Sequence, residues 1–212
     1  KDKNVLILGG GDTGSDCLGT SLRQGAKNVY LFELLPEPPR ERNNSNPWPQ
    51  WPKIFQVSSS HEEANVREGK EGITEYCVST KMFSGKDGKI SRVHGIKIEF
   101  GDPDPKTGRP EMREVPGSEF ELDVELVLLA MGFVHPIHEG MLQELGMELD
   151  ARGNVACDDK KMTSVDGVFV AGDMTRGQSL VVWAIAEGRE AARSVDLHLM
   201  GATQLPHSQF LK

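Results

Sequence analysis

Residues 4–33 read NVLILGGGDTGSDCLGTSLRQGAKNVYLFE, an order of apolar, glycine-rich and mixed segments that predicts a β-α-β unit. Residues 4–8 are almost continuously apolar, as expected of a strand that is covered on both faces. The spacing predicts a helix over residues 13–24, which Gly25 is placed to end, and a second strand over residues 28–32. Such a crossover implies a parallel sheet.

A G-x-G-x-x-G motif lies between the first strand and the helix. Gly9 permits the tight turn, Gly11 lets the backbone approach a pyrophosphate, and Gly14 lets the helix pack closely on the sheet. The helix N-terminus offers free N–H groups and a positive dipole end to the phosphates. The residues predicted to bind a dinucleotide here are Gly9, Gly10, Gly11, Asp12, Thr13 and Gly14.

Glu33 follows the second strand, where an acid is expected to accept hydrogen bonds from the ribose hydroxyls of the adenosine half and to repel a 2′-phosphate. This favours NADH over NADPH. The alternative interpretation of Glu33 is a solvated loop glutamate that contacts no ligand. Arg40 and Arg42 complicate the preference, because either arginine could reach a 2′-phosphate from the proline-rich segment that follows, residues 36–52.

The middle of the chain predicts a β-hairpin and meander added to the parallel sheet. Asp87 and Gly88 favour a hairpin turn. The predicted elements are a helix over residues 60–68, strands over residues 73–83, 90–100, 113–120 and 124–131, and a helix over residues 140–145.

A second motif, TSVDGVFVAGD, occupies residues 163–173 and predicts a strand over residues 167–171, followed by a helix over residues 179–200. Gly172 would let the backbone come close to a ligand, and the carboxylate of Asp173 suits a sugar alcohol such as the ribityl chain of a flavin. The start of the helix could direct N–H groups at the pyrimidine edge of the flavin. The alternative is a plain strand-to-helix turn with a polar cap. The candidate flavin-binding residues are Gly172, Asp173, Gln178, Ser179, Leu180 and Val181.

Composition excludes several classes of function. The net charge of −8 argues against nucleic-acid binding, because there is no basic surplus to neutralise phosphates. No apolar stretch approaches the roughly 20 residues of a membrane helix. The three cysteines are far apart, which argues against a disulfide framework, a zinc site or a protein-held iron–sulfur cluster and favours reduced thiols in the cytoplasm. No metal-binding residue is predicted.

Four segments resemble the small, flavin-containing subunit of glutamate synthase, or the matching C-terminal region of its fused NADH-dependent forms. They are GGGDTGSDCLGTSLRQGAKNVYLFELLPEPP (residues 9–39), NPWPQWP (residues 46–52), VLLAMGF (residues 127–133) and GVFVAGDMTRGQSLVVWAIAEGREAA (residues 167–192). The resemblance extends over residues 4–199, and the NPWPQWP string is its most specific part.

The resemblance implies an α/β protein in which a Rossmann-like NAD(P)-binding domain, residues 1–134, is followed by the C-terminal part of an FAD-binding domain, residues 135–200, and a ragged tail, residues 201–212. Ala130, Met131 and Gly132 match the family's A-x-G link beside the nicotinamide cofactor. Gly172, Asp173 and residues 178–181 match its FAD site, and Glu33 matches a glutamate of the NADH-using relatives.

The family's FAD domain opens with a glycine fingerprint of its own, preceded by a cysteine-rich segment that holds iron–sulfur clusters. Neither occurs here, so the chain is interpreted as the C-terminal portion of a longer polypeptide. We expect the isolated fragment to bind FAD poorly and to be inactive. Iron–sulfur clusters belong only to the N-terminal region that is missing.

The resemblance implies electron input from NAD(P)H through FAD to a glutamate synthase large subunit or domain, which makes glutamate from glutamine and 2-oxoglutarate. Hydride transfer needs stacking and orientation, so no residue is predicted to be catalytic. Two alternatives remain, an electron-input subunit of another flavin and iron–sulfur oxidoreductase, and a dinucleotide-binding module without turnover. His61 and His94 are interpreted as surface or capping residues, and residues 187–190 as a solvated or interfacial helix face.

Overall fold

A computed structural model describes residues 1–48, 52–68, 74–103 and 110–208. The chain divides into two compact units, Lys1–Met131 and Gly132–Lys212. The first unit contains β1 (Asn4–Leu8), α1 (Asp12–Arg23), β2 (Asn28–Phe32), α2 (Ser59–Glu68), β3 (Thr74–Glu75), β4 (Val78–Lys86), β5 (Lys89–Pro103), β6 (Pro110–Glu114), β7 (Phe120–Asp123) and β8 (Leu126–Leu129). The second contains α3 (Met141–Glu144), α4 (Asp173–Arg176) and α5 (Val181–Met200).

The parallel sheet has the strand order β3-β2-β1-β8. Alternate residues of β1 point to opposite faces: Val5 and Ile7 pack with residues of α1 and α2, whereas Leu6 and Leu8 pack with Val78 and other residues of the antiparallel strands. Both faces are therefore apolar, which explains the continuous apolar run in β1. The predicted β-α-β unit and the α/β class are confirmed.

The antiparallel strands β4, β5 and β6 lie side by side, and β7 also pairs with β5. The hairpin between β4 and β5 turns at Asp87 and Gly88, as predicted, although β4 extends further into the predicted turn. Two of the strands predicted in this unit are interrupted in the structure.

The strand predicted over residues 73–83 is interrupted at Cys77, whose φ of +55° is incompatible with an extended strand. Its first part, β3, pairs in parallel with β2, and its second part, β4, pairs antiparallel with β5. Residue 73 lies outside the described residues. The strand predicted over residues 113–120 is also interrupted, by a turn that contains Gly117 (φ +77°) and separates β6 from β7.

The second unit packs around Leu142, Val155 and Val170. The strand predicted over residues 167–171 is reduced to a single bridge between Met162 and Phe169. Hydrogen bonds from Val170 N to Lys161 O and from Thr163 N to Val168 O lie beside it.

The tail is not ragged over its described part. Arg193 Nε on α5 donates to Leu205 O, and Glu190 on the same helix binds His207 and Ser208. These contacts hold the segment against α5. Residues 209–212 of the predicted tail lie outside the described residues.

Candidate functional site

The glycine loop between β1 and α1 needs glycine at two positions for packing. Gly9 has a φ of +111°, and a Cβ there would overlap the carbonyl group of Ala130. A Cβ at Gly14 would overlap the carbonyl oxygen of Gly9. Gly11 differs, because its backbone (φ −76°, ψ −170°) suits any residue and its missing Cβ faces open space. The loop therefore turns tightly at its ends and leaves room for a ligand at Gly11.

Glu33 is held against this loop by two backbone N–H groups. Gly10 N donates to Glu33 Oε2 at 2.6 Å, and Leu35 N donates to Glu33 Oε1 at 2.9 Å. The carboxylate is thus fixed at the end of β2, and each oxygen keeps a further lone pair for a ligand hydroxyl. This geometry does not fit a freely solvated loop glutamate.

A cavity of about 470 Å³ opens beside the loop in the first unit. Its lining includes residues that were predicted, namely Gly9, Gly10, Gly11, Glu33, Ala130 and Met131, and two that were not, Ser79 and Thr80 of β4. The two hydroxyl residues follow the interruption at Cys77, so only the paired strands bring them to the loop. Asp12 and Thr13 begin α1 at its open N-terminus, where Gly11 makes no side-chain cap.

The predicted arginines have protein partners. Arg40 Nη2 lies 3.0 Å from Glu37 Oε1, and its guanidinium lies 4.1 Å from the centre of the Phe55 ring. Arg42 Nη1 donates to Asn46 O at 3.3 Å. Residues 49–51 of the NPWPQWP string lie outside the described residues.

His61 lies on α2, and both nitrogens of its ring lie within hydrogen-bond distance of a hydroxyl group. Its Nδ1 lies 2.8 Å from Ser58 Oγ, which also accepts from His61 N, and its Nε2 lies 3.1 Å from Thr74 Oγ1. Burial lowers the pKa of His61. His94 lies 2.9 Å from Ser84 Oγ. Both contacts fit the predicted capping and surface roles.

In the second unit, Gly172 is the N-cap of the short helix α4 and has a φ of +70°, which favours glycine. Its N–H donates to Glu187 Oε2 at 2.8 Å. Asp173 follows and is exposed. The turn that presents Asp173 is therefore tied to α5 through one buried carboxylate.

The prediction that Glu187 lies on a solvated or interfacial helix face was wrong, because Glu187 is only 2% exposed. Its Oε1 lies 2.8 Å from Arg176 Nη2 and 3.3 Å from Lys161 Nζ. Burial raises the pKa of Glu187, but the hydrogen bond from Gly172, the charge of Lys161 and the hydrogen bonds from Lys161 and Arg176 outweigh it and bring the pKa below its usual value. Helix periodicity could not reveal this, because both cations come from other segments.

A second cavity, of about 360 Å³, lies next to Asp173. Gln178 closes one side, where its Oε1 accepts from Phe133 N at 2.6 Å and its amide lies against Gly132. Asn154 also lines it and was not predicted. Ser179, Leu180 and Val181 are exposed at the start of α5. Of the predicted flavin residues, Asp173 and Gln178 thus line this cavity.

Comparison with known proteins gives a family similarity. A family model described as pyridine nucleotide-disulphide oxidoreductase matches residues 84–188, just under half of the chain. Over these residues the chain is similar to this family. The pyridine nucleotide-disulphide oxidoreductase family implies FAD and NAD(P) as cofactors.

Curated relatives are similar over nearly all of the chain. The glutamate synthase (NADPH) small chain of Mycobacterium tuberculosis is 50% identical over 206 residues, which is 97% of this chain and 39% of that protein. The glutamate synthase (NADH) of Schizosaccharomyces pombe is 46% identical over 97% of this chain and 10% of that protein. The chain therefore spans about two fifths of the small chain and a tenth of the longer relative.

Solved structures show the same fold. FprA of Mycobacterium tuberculosis in complex with NADPH has a TM-score of 0.63 at 14% identity, over 95% of this chain and 53% of that one. Thioredoxin reductase of T. acidophilum has a TM-score of 0.55 at 21% identity, over the same shares of the two chains.

The residues fit both cofactors of this oxidoreductase family. At the first site, Gly9 and Gly14 allow the loop to pack tightly, and Gly11 leaves open space that a Cβ would enter, beside the open helix N-terminus. At the second, the cavity next to Asp173 is lined by Asn154, whose buried amide oxygen has no hydrogen-bond partner among the described residues.

Two kinds of feature are absent from the part of the chain that the structure describes. Residues 1–48, 52–68, 74–103 and 110–208 contain no group of three or more histidine, cysteine or acidic side chains that could hold a metal ion. Within the same ranges, no helix is both long enough and apolar enough to span a bilayer.

Proposed function

We propose that residues 1–134 bind NAD(P)H, that residues 135–200 supply part of an FAD site, and that the chain serves as the electron-input segment of a glutamate synthase. The two cofactors, when bound, would supply hydride transfer from the reduced nicotinamide to the flavin. Glutamate synthesis from glutamine and 2-oxoglutarate would follow elsewhere in the enzyme. The observation that carries the proposal is the glycine loop, which has Glu33 fixed beside it and a cavity next to both.

The residues of the chain bind and orient the cofactors, and none is assigned an acid–base role. The first-turn N–H groups of α1 would receive the pyrophosphate. Glu33 would accept from the adenosine ribose, and Ala130, Met131 and Gly132 would lie by the nicotinamide. Gly172, Asp173 and residues 178–181 would contact the flavin.

The partners that we propose are inferred from the small share of each relative's length that the chain spans. Its relatives' names include a small chain and a much longer glutamate synthase. We therefore propose a further region of the same polypeptide, which carries the FAD fingerprint and the iron–sulfur clusters, together with a large subunit or domain. The three free cysteines support a cytoplasmic location.

Nicotinamide-dependent formation of glutamate tests the whole proposal. The full-length polypeptide, combined with the large subunit or domain, should oxidise NAD(P)H in the presence of glutamine and 2-oxoglutarate and form glutamate in proportion. Omitting glutamine is the control and should stop glutamate formation. Oxidation of NAD(P)H with an artificial acceptor but no glutamate formation under any condition would instead indicate an electron-input subunit of another enzyme.

Replacing Glu33 tests the preference for NADH. We expect the chain to bind NADH more tightly than NADPH, and Glu33→Gln to reduce that ratio about tenfold, because the charge that repels a 2′-phosphate is lost. Dissociation constants for both nucleotides, measured by calorimetry, provide the test. Glu63→Gln is the matched control, since Glu63 pairs with Arg23 on the surface, and it should leave the ratio within about twofold. A wild-type preference for NADPH would contradict the assignment.

The 212-residue chain alone is expected to be colourless after purification, whereas the full-length polypeptide retains FAD. The reason is that the chain has one glycine fingerprint, so the flavin pyrophosphate lacks its own β-α turn. Visible absorbance of both proteins, with NADH binding as the control for correct folding, gives the answer. Near-stoichiometric flavin in the short chain would refute this expectation.

A further inference from the structure

Asn154 has a buried amide oxygen that the described residues leave without a hydrogen-bond partner. The residue is 1% exposed. Its backbone N–H donates to Asp150 Oδ1 at 2.9 Å, and its side chain also hydrogen-bonds to the Asp150 carboxylate. A carboxylate accepts only, so the amide nitrogen faces Asp150 and Oδ1 faces away. Asn154 Oδ1 has no partner in the described part of the chain.

The same side chain lines the cavity that contains Asp173. Buried acceptors are nearly always satisfied in folded proteins, so an unpaired one at a cavity wall indicates a ligand donor. Asp173 supplies a second acceptor on the same wall. Two acceptors in one cavity suit a ligand that carries several hydroxyl groups, whereas an anion would be repelled by Asp173.

We infer that Asn154 Oδ1 accepts a hydrogen bond from a hydroxyl group of the flavin's ribityl chain, next to the one held by Asp173. This inference rests on the proposed FAD site and extends it by a binding residue from a different segment. Asp150 orients the amide, because it takes the nitrogen side and leaves the oxygen without a partner among the described residues. Asn154 contributes to binding and takes no part in the transfer of electrons.

The test uses the full-length polypeptide and three variants. Asn154→Leu keeps the volume but removes the acceptor, Asn154→Asp keeps an acceptor at the same position, and Asn65→Leu is the matched control. Asn65 also has a buried amide oxygen without a partner in the described residues, but it lies on α2 in the first unit. The readouts are the FAD dissociation constant and the melting temperature with and without FAD.

We expect Asn154→Leu to raise the FAD dissociation constant about tenfold and to reduce the FAD-induced rise in melting temperature. Without FAD, this variant loses the side-chain hydrogen bond to Asp150, so its melting temperature should fall by no more than a few degrees. Asn154→Asp should retain FAD affinity within about threefold, although its carboxylate beside Asp150 should lower the melting temperature of the FAD-free protein. Asn65→Leu should not change FAD affinity.

Three results would overturn the inference. Wild-type FAD affinity in Asn154→Leu would show that the oxygen contacts no ligand, while the proposed flavin site would stand. Loss of FAD in both Asn154 variants, together with lower stability of each without FAD, would show a purely structural role. A full-length wild-type protein that binds no FAD would overturn both the inference and the proposed flavin site.

Discussion

Nucleotide binding is expected to fall about a hundredfold when Gly14 is replaced by alanine. The new Cβ would overlap the carbonyl oxygen of Gly9, so either α1 must move away from β1 or the loop must open. Overpacking of this kind costs about 1–3 kcal/mol of stability. The loop shift would also break several N–H contacts with the pyrophosphate, each worth about 1 kcal/mol. Calorimetric titration with NADH and thermal melting measure the two effects.

Gly11→Ala is the matched control for this prediction. The backbone of Gly11 suits any residue and nothing lies near its missing Cβ, so the melting temperature should change little. Its Cβ would nevertheless occupy space that the pyrophosphate needs, so nucleotide affinity should fall without loss of stability. Wild-type affinity in both variants would show that this loop does not hold the cofactor.

These two glycines illustrate what the sequence could establish. The motif assigned separate roles to Gly11 and Gly14, and the geometry at each position fits its role. The apolar run of β1 predicted burial on both faces, which the packing confirms. Such features were predictable because each depends on a few neighbouring residues, whose spacing and conformational preferences are visible in the chain.

The features that were missed depend on distant residues. Nothing around Cys77 indicates a change of sheet, because the pairing of Thr74 with β2 is decided by the whole sheet. Ser79 and Thr80 reach the first cavity only through that change. By sequence, Asn154 is an ordinary turn residue. Only the structure shows that its amide oxygen is unpaired among the described residues and that Asn154 and Asp173 line the same cavity.

The second large effect is expected from Glu187→Ala, which should lower the free energy of unfolding of the second unit by about 3 kcal/mol. The substitution leaves the N–H of Gly172 without its acceptor and removes the carboxylate shared by Lys161 and Arg176. The side chain of Lys161 is only 16% exposed, so water replaces that partner poorly. Hydrogen exchange of the Gly172 amide should accelerate, and chemical denaturation should report the loss of stability.

Glu190→Ala is the matched control on the same helix. Glu190 binds Ser208 N and His207, but His207 is 70% exposed, so this variant should lose about 1 kcal/mol and keep the slow exchange of Gly172. An equal loss of unfolding free energy in both variants would contradict the conclusion that the buried contacts of Glu187 stabilise the second unit more than those of Glu190.

The pH dependence of the free energy of unfolding distinguishes the contribution of the Glu187 charge from that of its packing. Its folded pKa lies below the unfolded value of about 4.3, so its ionised form contributes stability above that pH and loses it as the pH falls through the folded pKa. Glu187→Gln keeps the shape without the charge. The stability difference between wild type and this variant should therefore be constant near neutral pH and shrink only below about pH 4. A difference that disappears between about pH 5 and 7 would mean that another group is responsible.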